Sequence, residues 1–153
     1  MKHVKDSKRE QRRIEKVLRK AKENQAVAVG VINDDPHSKG FSMVELAMVH
    51  EFGSKDGRIP GRSFIRTTFD EKESVHRDLL HRLQQKVLAG KIGAKQALTT
   101  VGEVVAKNMA ETINDGIEPG LKESTKKRKG SSKPLIDTGR LKASVTHELR
   151  GGE

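Results

Sequence analysis

The chain contains no cysteine, which removes disulfides, thiolate nucleophiles and every cysteine-based zinc or iron–sulfur site at once. Only histidines and carboxylates remain as metal ligands. Tryptophan and tyrosine are also absent, and there are only four phenylalanines, Phe41, Phe52, Phe64 and Phe69. The side chains that usually dominate cores and interfaces are therefore scarce. Apolar residues make up 33%; with glycine included the share is about 42%, below the roughly 45–50% of an ordinary globular domain counted the same way. The core is expected to be small, and an isolated, highly stable monomer is not expected. No stretch approaches the roughly 18 apolar residues of a membrane span, and the N-terminal segment carries charge in place of the apolar region of a signal peptide. This reads as a soluble protein made inside a cell. At 153 residues the length is that of one domain, spanning 1–153.

Charge is present in excess and unevenly placed. The net charge is +10. Residues 1–23 hold ten basic and four acidic groups, residues 120–153 nine and four, and residues 24–119 twelve and thirteen. Basic ends on a nearly neutral body suit a polyanion or an acidic protein neighbour, because either can replace the counterions such segments gather.

Within residues 1–23, Ile14, Val17, Leu18 and Ala21 recur at helical spacing, with lysines and arginines around the rest of the circumference. This predicts a basic N-terminal helix ahead of a body spanning 24–153. From Ala26 to Ile32 the period becomes two, with Val27, Val29 and Val31 on one face, which predicts a strand. Ser42 and Glu45 form a capping-box pair opening a short helix from Met43 to about His50, stopped by Gly53. A polar loop over 54–62, stiffened by Pro60, leads to a long helix from Ser63 to Leu88. Phe69, Val75, Leu79, Leu83 and Val87 would line its buried face. A further helix from Ala94 to Asn114 carries Leu98, Val101, Val105, Met109 and Ile113 as a stripe and ends at Gly116. Residues 126–134 read as an exposed loop, and Ala143–Leu149 alternates like an antiparallel or edge strand. The class is α+β, a small mostly antiparallel sheet packed against long helices. Two strands are too few for an independent sheet. Short strands near Phe41 or Gly116–Leu121, or neighbouring subunits, would complete it.

The chemistry is sparse. No serine sits in a Gly-x-Ser-x-Gly elbow. His50-Glu51 lacks the second histidine of a His-Glu-x-x-His zinc helix, and His76 and His81, five apart on a helix, read as a solvated pair instead of a ligand pair. Gly90-Lys91 lacks the earlier glycine of a phosphate cradle. No catalytic residue, cofactor or metal site is expected. The run Lys126, Lys127, Arg128 and Lys129 is a candidate for nonspecific phosphate contact; without interleaved aromatics it has no base-stacking platform.

Three segments, in order, carry a resemblance. They are Glu45–Ser54, including Glu51-Phe52-Gly53; Ile59–Arg66, including Pro60, Arg62 and Phe64; and Pro134–Ser144, including Asp137-Thr138-Gly139-Arg140. Together they resemble the signature blocks of tailed-bacteriophage neck and tail-completion proteins, a family that includes minor tail protein Z and virion-morphogenesis types. The resemblance covers residues 40–150 and departs at Ser63, where the family usually has proline. It implies a non-enzymatic virion protein, assembled in the host cytoplasm into a homo-oligomeric ring at the head–tail junction. Its neighbours would be head-completion, portal-side or tail-tube and terminator proteins, with nonspecific DNA contact in the channel and no membrane. In these blocks Phe52 can plug the core, Pro60 stiffen the turn, and Phe64 and Phe69 anchor the long helix. Arg62 and Arg66 can pair with Glu51 or Asp70, or with a neighbour's carboxylate. Asp137-Thr138 would cap a helical turn before the last strand. Arg58, Arg62, Arg66, Lys126, Lys127, Arg128, Lys129 and Arg140 are the candidate interface residues. The competing class is a nucleic-acid-binding module that uses the basic ends.

Overall fold

The computed structural model describes residues 8–21, 25–33, 36–38, 40–121, 125, 127, 135 and 139–151. Helix α1 spans Lys8–Ala21 and is followed by strand β1 at Ala26–Val31. The short strands β2, Pro36–Ser38, and β3, Phe41–Ser42, pair antiparallel. Of the two places where an extra strand was expected, the one near Phe41 exists and Gly116–Leu121 is not a strand. Helix α2 covers Met43–Phe52, α3 Phe64–Leu88 and α4 Ala94–Asp115. A single helical turn, α5 at Arg140–Ala143, leads into β4, Val145–Arg150. The class is α+β, with a small antiparallel sheet packed against long helices.

Local chemistry explains the boundaries. Ser42 accepts from the Glu45 amide at 3.1 Å and the Glu45 carboxylate accepts from the Ser42 amide at 2.9 Å, so the capping box opens α2 as the spacing predicts. Gly53, at φ 86°, ends that helix, and Gly116, at φ 92°, ends α4. Position Gly139, at φ 76°, holds the N-cap of α5 with no side-chain cap. The capping expected of Asp137 and Thr138 lies outside the described residues. The final strand begins at Val145, because Arg140–Ala143 is helical.

Helices α3 and α4 form an antiparallel pair: Thr68 meets Thr112, His76 meets Asn108, and Leu83 clusters with Ala97 and Val101. One core cluster joins Met43, Ala47, Phe64, Met109, Ile113, Leu135 and Leu141; the other joins Leu83, Ala97, Val101 and Val105. The stripe read for α4 holds at Val101, Val105, Met109 and Ile113, all buried, with Leu98 half-buried. The stripe read for α3 needs correction. Phe69 and Val75 are exposed, and the buried residues are Phe64, Thr68, His76 and Leu83. Helix α3 turns polar groups towards α4 because they find partners there. Thr68 Oγ1 lies 2.9 Å from Thr112 Oγ1, and the two hydroxyls also reach the carbonyls of Phe64 and Asn108. His76 is therefore buried, not one of a solvated pair.

Strands β1 and β4 pair antiparallel from Ala26↔Arg150 to Val31↔Val145 and lie across α4. The approach is close at Gly102, where an added Cβ would stand 2.6 Å from the His147 ring and 2.8 Å from Val27. Glycine is what lets the helix backbone meet the sheet here.

A candidate assembly surface at the α2–α3 junction

The first two motif blocks meet where α2 ends and α3 begins. A helix start leaves backbone N–H groups without partners inside the helix. Ser63, the N-cap residue of α3, makes no side-chain cap. Glu51 takes that role from a distance: its buried carboxylate accepts from the amide of Ile65 at 2.9 Å and of Arg66 at 3.2 Å. A carboxylate at a helix N-terminus is favoured by both the hydrogen bonds and the helix dipole. The Ser63 hydroxyl donates to the Glu51 carbonyl at 2.8 Å, and the Arg62 amide to the His50 carbonyl at 2.6 Å. The Ser63 hydroxyl thereby ties the turn back to α2.

The intervening loop is pinned to itself. Its ends close through the Ser54 amide donating to the Ile59 carbonyl, and the Ile59 amide donating to Ser54 Oγ, both at 2.9 Å. Asp56 accepts from the Ser54 hydroxyl at 2.6 Å and from the Arg58 amide at 3.1 Å, which together hold its carboxyl below the usual aspartate range. A Cβ on Gly53 would lie 3.0 Å from the Gly61 nitrogen and the Ile59 carbonyl, so glycine is required where the two arms touch.

Arg62 corrects the reading of its motif. Its side chain points inward, where Nε donates to the Pro119 carbonyl at 2.7 Å and Nη2 to the Gly120 carbonyl at 3.1 Å. It is buried, so it clamps the segment after α4 within its own chain and is not a contact for a neighbour. Burial lowers its pKa, opposed by the charge of Glu118. Neither Arg62 nor Arg66 makes the expected ion pair with Glu51, whose carboxylate is directed at backbone amides.

Phe52 also departs from expectation. It does not plug the core; its side chain stands out at 71% exposure, beside Met48 at 56% one turn earlier, and Phe41 is 54% exposed at the other end of α2. The core position goes to Phe64, which is fully buried as expected. Ile59 and Pro60 are exposed at the loop, as are Arg58 and Arg66. The junction thus joins Glu51, Gly53, Ser63 and Phe64, and the α2 end that it holds presents Met48 and Phe52 outward.

The remaining candidates lie elsewhere. Arg140 is exposed and donates to the Pro36 carbonyl at 2.7 Å, tying α5 to β2. Lys127 is exposed, and Lys126, Arg128 and Lys129 lie outside the described residues. Among the described residues no group of three or more histidines or carboxylates could hold a metal ion, and no helix is long and apolar enough to cross a membrane. The roles of Glu51 and Arg62 escaped sequence reasoning because their partners are 14 and 57 positions away, and no local spacing encodes such a contact.

Compared with protein-family models, curated proteins and solved structures, the chain matches none.

Proposed function

We propose that this chain is a non-enzymatic structural subunit of a tailed-phage virion, one of several copies forming a ring at the head–tail junction through which DNA passes. The observation that carries the reading is the exposure of Met48 and Phe52 on α2 where it meets the α3 start, with Phe41 exposed at the other end of the same helix. Met48 and Phe52 stand one turn apart on the exposed face of α2, and exposed apolar side chains grouped on one element mark contacts with other proteins. The small, divided core agrees, because subunit interfaces supply burial that one chain lacks. The test is Phe52→Ser, with thermal melting beside an image of the assembled particle. The expected result is an unchanged melting temperature and loss of the subunit's density from the neck. Normal incorporation of several copies of the variant would count against this surface, and a particle without the subunit at the neck would sink the reading.

A second reading, a nucleic-acid-binding module, is favoured by one observation. Lys8, Arg12, Lys16 and Arg19 are exposed along one side of α1, a row suited to phosphates. A steep fall of DNA affinity with salt, in a chain that never assembles, would select it.

A further inference from the structure

We propose that the two open edges of the β1–β4 sheet pair between copies of this chain, the outer edge of β1 in one copy against the outer edge of β4 in the next, so that the ring closes an antiparallel barrel around its axis. This rests on the ring reading and identifies the surface that closes the ring.

Among the described residues β1 pairs only with β4, and β4 only with β1. A two-stranded sheet leaves one row of backbone donors and acceptors unused on each strand. Proteins usually protect such edges with lysine, proline or a bulge. The β1 strand, Ala26–Val31, has none of these: it reads AVAVGV and runs in unbroken register with its partner. It is a ready template for another strand.

Geometry selects the occupant. In a cyclic ring whose strands run along the axis, every β1 points one way and every β4 the other, because the two are antiparallel within each copy. Placing β4 of one copy beside β1 of the next repeats the same antiparallel alternation, strand for strand, between segments of six residues each. Both edges are consumed in every copy, and closure leaves none exposed. A foreign strand added to β1 would leave the β4 edge open.

The two faces of the sheet fit this arrangement. Opposed residues in an antiparallel ladder share a face. Val27, Val29 and Val31, opposite Leu149, His147 and Val145, form the face that meets α4 and the two core clusters. The other face carries Ala26 with Arg150, Ala28 with Glu148 and Gly30 with Thr146, all small or polar. Ala26, Glu148 and Arg150 on this face are exposed, Ala28 and Thr146 half-buried and Gly30 buried, though a Cβ built on Gly30 would find nothing within 4 Å. In a closed barrel the helices lie outside and this second face lines the lumen. A wall of Ala, Gly, Thr, Glu and Arg is what an aqueous passage requires and what a filled core does not.

The cysteine-free chain makes the test direct. Full-length Ala28→Cys is mixed with Thr146→Cys, Glu148→Cys or Arg150→Cys, each on the same sheet face, and oxidised under assembling conditions. The control partner is Lys107→Cys, on the exposed side of α4. At least one of the three mixtures should give covalent heterodimer roughly tenfold above the control. Amide hydrogen exchange on the unaltered chain gives a second readout, since β1 amides should slow at least tenfold on assembly. Assembly without either signal overturns the edge pairing and leaves the ring reading standing. A chain that forms no ring, alone or in the particle, overturns both.

Discussion

At the residue scale, two buried ionisable groups carry distinct kinds of stability. Glu51 is an acceptor for two amides at the start of α3, and removing it leaves both part-buried donors without that partner. Glu51→Ala is expected to cost about 1–3 kcal/mol, the range for losing a cap or orphaning a buried donor, read as a drop in the urea midpoint. No change would mean that water replaces the carboxylate. His76 works in the opposite sense. Its Nε2 lies 2.9 Å from the Asn108 side-chain nitrogen, a contact that the neutral ring can accept and the protonated ring cannot. Burial, with a smaller push from the charge of Lys72, holds its pKa below the ordinary histidine value of 6.5. The unfolded chain then binds a proton more readily than the folded one. The stability that His76 contributes is present above about pH 6.5 and is lost as pH falls below that towards the depressed folded value. Urea midpoints between about pH 5 and 7.5 should fall on acidification, and more gently in His76→Gln. Parallel curves for the two proteins would place the acid sensitivity elsewhere.

At the element scale, helices were legible where an end-signal or a strong stripe is local. The capping box at Ser42 and Glu45, the stops at Gly53 and Gly116, and the apolar row from Val101 to Ile113 all appear where the spacing puts them. The inner face of α3 was not legible, because hydrophobicity is an unreliable guide where hydroxyls and an imidazole find partners across a helix pair. Phe52 misled for a related reason: an aromatic at the end of a short helix suggests burial, but here Phe64 fills the core site. The contact of α4 with the sheet carried no sequence signal beyond a glycine in mid-helix. That glycine yields a prediction that separates propensity from packing. On an open helix surface Gly102→Ala would stabilise, since alanine is the better helix former by about 1 kcal/mol. Here the added methyl would meet the His147 ring and Val27 at under 3 Å. Overpacking of this kind costs about 1–3 kcal/mol, so the net change should be destabilising in calorimetry. A raised melting temperature would show that the sheet yields without cost.

At the scale of the whole molecule, charge is segregated from the fold. The body carries the cores and the junction, whereas α1 is a basic helix of 14 residues, a length at which an isolated helix is marginal in water. Lys8, Arg12 and Lys16 succeed one another at i, i+4 spacing, and like charges so placed oppose the helix by about 0.2–0.5 kcal/mol per pair. A negatively charged partner would relieve that repulsion, and under the proposed head–tail placement two would be at hand: DNA phosphates in the channel and carboxylates of an adjoining ring. We favour the protein neighbour. A passage that must release DNA quickly gains little from tight phosphate binding, because each neutralised phosphate adds a counterion-release contribution that holds the duplex in place. Basic segments that dock on an acidic partner provide steering and register instead. The check is to change Lys8, Arg12, Lys16 and Arg19 together to glutamate, then score head–tail joining separately from DNA ejection. Joining should fall, while the particles that do form eject normally. Intact joining with altered DNA retention alone would assign the helix to the channel and its cations to the phosphates.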